Sequence, residues 1–85
     1  MRRRSLLKKI ASGAFQNVDF RDMLGLMEGL GFRLSRVSGS HHVFSHPGIP
    51  ELANLQEVGG QAKPYQIRQV LRLVERYNLH LEDGS

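Results

Sequence analysis

The sequence predicts an α+β domain with the element order α-β-β-β-α, in which both helices lie on one face of a three-stranded antiparallel sheet. Apolar residues recur at helical spacing in two segments, residues 19–31 and 64–78. Between them lie three short segments rich in Val, Phe and Leu, which are separated by turns. Because both helices must bury an apolar stripe on the same small sheet, the opposite sheet face stays open. We expect function at that open face.

Capping residues mark both ends of each predicted helix. Asp19 is a favoured N-terminal cap for the first helix, and Gly31 suits the left-handed position that ends it. Pro64 is tolerated in the first turn of the second helix, and Asn78 suits its left-handed end. The apolar stripes comprise Phe20, Met23, Leu24, Met27 and Leu30 in the first helix, and Ile67, Val70, Leu71, Val74 and Tyr77 in the second.

The predicted sheet begins with a β-hairpin. Residues 32–38 and 41–46 flank the dipeptide Gly39-Ser40, and a glycine-containing dipeptide between two such segments is typical of a hairpin turn. A turn with two prolines and a glycine at residues 47–50 then leads to a third strand over residues 51–58. The sheet is therefore expected to be a meander.

Residues 18–79 form the predicted domain, and 85 residues leave room for one compact core. Residues 1–17 are predicted to be a basic, partly helical arm that holds RNA, docks on a partner or frays. Residues 80–85 are predicted to be a polar tail.

Charge and composition narrow the class of partner and the compartment. The chain has 12 Lys and Arg against 8 Asp and Glu, a net charge of +4, which favours nucleic acid first and an acidic protein second. Simple solubility explains the same charge equally well. The chain has no cysteine, which suits a reducing cytoplasm. No segment approaches the ~20 apolar residues of a membrane span, so no membrane is expected.

His41 is the residue best placed for chemistry. If Phe44 packs under the helices, alternation along the strand puts His42 and His46 on the covered face and His41 on the open face. Imidazole exchanges a proton near neutral pH, and RNA cleavage requires proton transfer from its 2′-hydroxyl and to the leaving oxygen. The residues alone leave open the alternative of a surface histidine in a turn.

No metal or other cofactor is expected. His41 and His42 are adjacent in a strand and point to opposite faces, so they cannot easily bind one ion together with His46. The histidine-rich segment also contains no Asp, Glu or Cys to complete a ligand set.

Basic residues at the second helix suggest a path for phosphates. Lys63 precedes the start of this helix, where backbone N–H groups attract anions, and Arg68 and Arg72 lie four residues apart on one face. An ordinary solvated helix face remains the alternative. Gln66 and Gln69 add hydrogen-bonding capacity without indicating a ligand.

The sequence resembles the HicA family of mRNA interferase toxins over residues 18–79. The hairpin carries the clearest similarity, and segments on either side of it agree with the same family. The matching segments are Gly31-Phe32, Arg36 before Ser38-Gly39, Gly39-Ser40-His41-His42-Val43-Phe44, His46-Pro47 and Lys63-Pro64-Tyr65-Gln66-Ile67-Arg68-Gln69.

The resemblance implies a fold similar to a double-stranded-RNA-binding domain and an endoribonuclease that cleaves messenger RNA without a metal. The first histidine after Gly-Ser is the essential residue of the family, which corresponds to His41 here. The implied partner is a HicB-type antitoxin protein that blocks the active face, with operator DNA bound only through the antitoxin. Many members of the family have a Pro-x-His segment after the third strand, which residues 54–60 lack, so a histidine mechanism would depend on His41 alone.

Two alternatives to the nuclease remain open at this point. One is a non-catalytic RNA-binding module of the same fold, and the other is an interaction protein whose basic surface binds an acidic partner. The candidate RNA-binding residues are Arg36, Gly39, Ser40, Lys63 and Arg68.

Overall fold

The computed structural model describes residues 1–82 and contains three helices and a four-stranded antiparallel sheet. The α+β class predicted from the sequence is therefore confirmed. The helices are α1 (Arg3–Ala11), α2 (Phe20–Gly29) and α3 (Pro64–Tyr77). The strands are β1 (Arg33–Ser38), β2 (His41–His46), β3 (Ile49–Val58) and β4 (Gln61–Ala62).

The capping residues of the two predicted helices, α2 and α3, act as expected. Asp19 Oδ1 accepts hydrogen bonds from the backbone N–H groups of Arg21 at 2.8 Å and Asp22 at 3.2 Å. Gly31 follows α2 with φ +94°, a conformation that glycine adopts without steric cost. Asn78 closes α3 in the left-handed conformation with φ 52° and ψ 49°.

The sheet has one more strand than the predicted three. Its order is β1-β2-β3-β4, and β4 pairs only with the end of β3, Ala62 opposite Glu57 and Gln61 opposite Val58. Backbone hydrogen bonds from Ala62 N–H to the Val18 carbonyl oxygen, at 2.9 Å, and from Phe20 N–H to Gly60, at 2.9 Å, anchor this turn to the start of α2. The fourth strand depends on these long-range contacts.

The N-terminal segment, predicted to be a basic and partly helical arm, contains a helix that packs on the core. Residues 3–11 form α1, which packs against α2 and α3, and its side chains Leu6 and Ile10 are fully buried in the core. These two residues lie four apart, so they form an apolar stripe one turn long that completes the core from the N-terminal side. The basic side chains of α1 are thus carried on a helix that belongs to the folded unit.

The end of the described chain also packs on the fold. Leu81 is half-buried against the core, and Glu82 donates its backbone N–H to the Gly29 carbonyl oxygen at 2.7 Å. Of the predicted polar tail, residues 83–85 lie outside the described residues. Within residues 1–82, no helix has the length and apolar character needed to cross a membrane.

Candidate active site

The helices cover one face of the sheet and leave the other open, as the strand pattern predicts. Phe44 on β2 and Ala53 and Leu55 on β3 are buried beneath the helices. Residues that alternate with them along each strand point the opposite way, so His41 and Val43 lie on the open face. β1 is exposed along its whole length, which means that the helices do not reach over it.

His41 lies in a row of residues that crosses the sheet. Ser38 on β1 is directly opposite His41, and Gln56 on β3 is directly opposite His41 on the other side. The next row along the strands is Arg36, Val43 and Asn54. Diagonal neighbours in such ladders lie roughly 7–8 Å apart, so the long side chain of Arg36 can reach the surroundings of His41.

Lys63 extends the row of His41 beyond β3. Its backbone N–H donates to the Gln56 carbonyl oxygen at 3.2 Å, which fixes the residue before α3 beside the β3 partner of His41. The Lys63 side chain is exposed. The sheet therefore places one predicted cation, Arg36, on the β1 side of His41 and another, Lys63, on its β3 side.

The other two histidines of the hairpin have structural contacts on the covered face. The His42 ring meets the Phe20 ring edge-on, with 4.8 Å between centroids. His46 Nδ1 accepts from Gly48 N–H at 2.9 Å, so the ring proton is on Nε2, which donates to the Leu30 carbonyl oxygen at 3.0 Å. These contacts tie β2 to α2.

His41 differs from both of them. It is exposed, and its side chain makes no hydrogen bond or ion pair to any residue in the described part of the chain. Among residues 1–82, no group of three or more His, Cys, Asp or Glu side chains is arranged to hold a metal ion. A histidine that is exposed and uncommitted can exchange protons with a ligand that approaches from solvent.

A groove of about 480 Å³ begins at His41 and runs between β3 and α3. It exists because β4 pairs only with the last two residues of β3, so α3 flanks the rest of that strand edge. Of its aliphatic lining residues, Ala53 and Val70 are buried and Leu52 is exposed, and most of the other lining residues are polar. The lining residues are His41, Glu51, Leu52, Ala53, Asn54, Tyr65, Gln66, Gln69, Val70, Arg72, Leu73 and Arg76.

Gln66 caps the strand edge at the His41 end of the groove. Its carboxamide oxygen accepts the backbone N–H of Gln56 at 2.5 Å. That hydrogen bond fixes which end of the carboxamide faces the strand, so the NH₂ group is the end left to face solvent. The bond also satisfies a backbone donor that β4 does not reach.

A hydrogen-bonded cluster closes the opposite end of the groove. Tyr77 Oη donates to Glu51 Oε1 at 2.5 Å, and Arg76 Nη1 lies 2.9 Å from Glu51 Oε2. The hydrogen bond from Tyr77 is the main cause that lowers the pKa of Glu51 below its ordinary value of 4.5. The same bond raises the pKa of Tyr77 above its ordinary value of 10.0.

The remaining predicted RNA-binding residues fall into two places. Gly39, with φ +60°, and Ser40 form the turn that directly precedes His41. Arg68, by contrast, lies over the ring of Phe15, 5.5 Å from its centroid, and does not line the groove. Arg72, four residues later, does line it.

Several residues of this surface were not singled out as site residues from the sequence. Tyr65 and Asn54 line the groove, and Arg33 pairs with Ser45 on the open face beside Arg36. One signal was present in the sequence, because residues 65, 69, 72 and 76 recur at helical spacing and are all polar or amphipathic. The groove itself arises from the short β4, which has no local signature.

A known protein family matches most of the chain. Residues 20–75 match the family described as the HicA toxin of bacterial toxin–antitoxin systems, and this span is more than half of the chain. It includes the open sheet face, His41 and most of α3, whereas α1 lies before it. No curated protein and no solved structure showed significant similarity to the chain.

Proposed function

Because the chain belongs to the HicA toxin family of bacterial toxin–antitoxin systems, we propose that it is an endoribonuclease that cleaves messenger RNA with His41 as its catalytic residue. The observation that carries the proposal is the position of His41, exposed and uncommitted within residues 1–82, at the end of a groove. Arg36 lies on the β1 side of His41, and Lys63 lies on its β3 side. No metal or other cofactor takes part.

The proposed reaction uses the nucleophile that RNA itself carries. His41 removes the proton of a 2′-hydroxyl, the 2′-oxygen bonds to the neighbouring phosphorus, and the bond from phosphorus to the 5′-oxygen breaks. The proton then passes from the imidazole, directly or through water, to the departing 5′-oxygen. The products are a 2′,3′-cyclic phosphate and a 5′-hydroxyl. Arg36 and Lys63 offset the negative charge that develops on the phosphate oxygens.

The substrate surface in this proposal comprises the open sheet face and the start of α3. The turn residues Gly39 and Ser40 let the RNA backbone approach His41 closely, and Arg36 and Lys63 bind phosphates beside it. Arg68 binds phosphate further out along α3, where it already contacts Phe15. The order of helix, strands and helix in residues 20–77 agrees with a likeness to double-stranded-RNA-binding domains, which favours RNA as the ligand.

Membership of a toxin–antitoxin family implies an antitoxin partner. We propose a HicB-type protein that binds the open face, covers His41 and carries the contact with operator DNA. A basic surface of the kind formed by Arg33, Arg36 and Lys63 attracts an acidic partner as well as RNA. The toxin and its message targets would meet in the cytoplasm.

Growth and RNA integrity after induced expression test the proposal. The parent chain should arrest growth and degrade messages, and the His41→Ala variant should do neither at equal protein level. His80→Ala is the matched control, because His80 is also exposed but lines a different surface with Arg4 and Lys8. Arrest by the His41→Ala variant, with message decay like that of the parent, would contradict the assignment.

Cleavage by the purified chain separates the nuclease from the non-catalytic RNA-binding module. A nuclease gives fragments with cyclic-phosphate and 5′-hydroxyl ends, and a metal chelator leaves the rate unchanged. A binding module retains RNA affinity in parent and His41→Ala alike but yields no fragments from either. An interaction protein that only binds an acidic partner would show little salt-dependent affinity for RNA.

A further inference from the structure

The groove beside His41 has the lining of a site for a nucleobase. Tyr65, in the first turn of α3, exposes 66% of its surface at the rim. Asn54, Gln66 and Gln69 add amide groups, which donate and accept hydrogen bonds. An aromatic face beside hydrogen-bonding amides is the combination with which proteins hold unpaired bases.

The charges around the groove suit a polyanion. Glu51 is the one carboxylate among the described lining residues, and its two oxygens are already engaged by Tyr77 and Arg76. Arg72 is exposed at the rim and forms no ion pair with any residue in positions 1–82. The net charge of +4 for the whole chain acts in the same direction.

Gln66 gives the groove a hydrogen-bond donor of fixed orientation. Since its carboxamide oxygen is held by the Gln56 backbone N–H at 2.5 Å, the NH₂ group is the part that a ligand meets. Gln56 is directly opposite His41 in the ladder. A ligand group bound by Gln66 therefore lies across β3 from the proposed catalytic residue, in the groove that both residues line.

We propose that this groove is a subsite for one unpaired nucleotide of the RNA substrate, adjacent to the phosphate that His41 attacks. The base stacks on Tyr65, Gln66 donates to its edge or its phosphate, and Arg72 holds the following phosphate. The proposal rests on the nuclease function given above and adds a preference for single-stranded RNA. A paired base in a duplex cannot present its face to Tyr65.

The size of the groove agrees with a single nucleotide. Its volume of about 480 Å³ lies within the range of ordinary small-ligand sites, roughly 300–1,000 Å³. The cluster of Glu51 and Tyr77 closes its far end. In this proposal a longer strand continues past Arg72, which lines the groove and is exposed.

Binding of a non-cleavable RNA tests the subsite independently of cleavage. The probe is a labelled decamer of mixed sequence with 2′-O-methyl groups at every position, followed by fluorescence anisotropy. Tyr65→Ala should raise Kd about tenfold, as expected for the loss of one stacked base, whereas Tyr65→Phe should stay within about twofold of the parent. Leu34→Ala, at a position on β1 that is also exposed, should leave Kd unchanged.

Two further measurements complete the test. A duplex of the same sequence should bind equally well to the parent and to Tyr65→Ala, since it cannot reach the ring. With a cleavable single strand, Tyr65→Ala should raise KM by a factor similar to its effect on Kd. The separate variant Gln66→Leu should also lower kcat/KM relative to the parent. Circular dichroism and Tm identify any variant that fails to fold.

Tyrosine fluorescence gives a direct readout, because the chain has two tyrosines and no tryptophan. The single strand should quench the parent and should quench Tyr65→Phe much less. An unchanged Kd in Tyr65→Ala would overturn the subsite even if His41 proves catalytic. Conversely, an inactive parent whose single-strand affinity still depends on Tyr65 would refute the nuclease and leave the subsite standing.

Discussion

Tyr77 in the last turn of α3 donates a 2.5 Å hydrogen bond to Glu51 on β3, which joins the end of the helix to the strand edge that it flanks. Arg76 binds the second carboxylate oxygen at 2.9 Å. The groove therefore has a fixed width at this end, because the helix cannot move away from the strand without breaking both contacts. The cluster also makes the stability of the fold depend on pH.

Acid should destabilise the parent more steeply than the Glu51→Gln variant. The pKa of Glu51 is lowered in the folded state, chiefly by the Tyr77 hydrogen bond. The ionised Glu51 carboxylate therefore adds to the free energy of unfolding above about pH 4.5, and this stabilisation is lost as pH falls through the folded pKa. Urea unfolding at neutral pH and at about pH 3 measures the difference.

Tyr77→Phe serves as the control for that experiment. It removes the main cause of the lowered pKa of Glu51 while it keeps the ring, so its acid dependence should lie between those of parent and Glu51→Gln. Identical acid dependence of all three proteins would show that the cluster does not contribute.

Leu6→Ala should destabilise the protein by about 2–5 kcal/mol, although residue 6 lies outside the family match. Leu6 is 1% exposed, and its removal leaves a cavity between α1 and the rest of the core. Chemical denaturation measures the loss. Leu7→Ala, at a half-buried position on the same helix, should cost less; equal and small effects would mean that α1 is not part of the cooperative unit.

His46 should prove structural, with two separable contacts. His46→Asn can keep a hydrogen bond with Gly48 N–H but not the one to the Leu30 carbonyl, and His46→Gln can do the reverse. Each should cost about 1–3 kcal/mol, and His46→Ala should cost more than either. Thermal melting gives the order. RNA cleavage by the folded fraction should remain at the parent level, in contrast to His41→Ala.

Arg36→Ala and Lys63→Ala should each reduce the salt dependence of single-stranded RNA binding. Removal of one phosphate contact changes the slope of log K against log salt by roughly 0.7 for a single strand. Arg21→Ala removes an exposed charge on α2, away from the open face, and should not change this slope. If the slope for each of the three variants equals that of the parent, the RNA does not contact Arg36 or Lys63.

Local sequence signals were enough to predict the central elements. Asp19 and Gly31 mark the ends of α2, and Pro64 and Asn78 mark the ends of α3. The period of two in residues 41–46 placed His41 and Phe44 on opposite faces of the sheet. These features depend on backbone preferences and alternation within a few residues, which a sequence displays directly. The position of His41 on the open face followed from them.

Features that depend on distant contacts were missed. Gln61 and Ala62 form β4 because Ala62 meets Val18, and α1 is ordered because Leu6 and Ile10 find a core made by later residues. The separation of Arg68 from Arg72 depends on the position of Phe15, 53 residues before Arg68. Helical spacing alone gives such residues one shared face and cannot show what each side chain meets.

The meander order of the sheet has a kinetic consequence. Each strand pairs with the next one along the chain, so no strand has to wait for a distant segment and loop closure is short. Docking of α1 differs, because this first helix contacts α3, the last one. We therefore expect the sheet to assemble early, with α1 docking as a late step, and the open sheet face that carries His41 to form before the fold reaches its full stability.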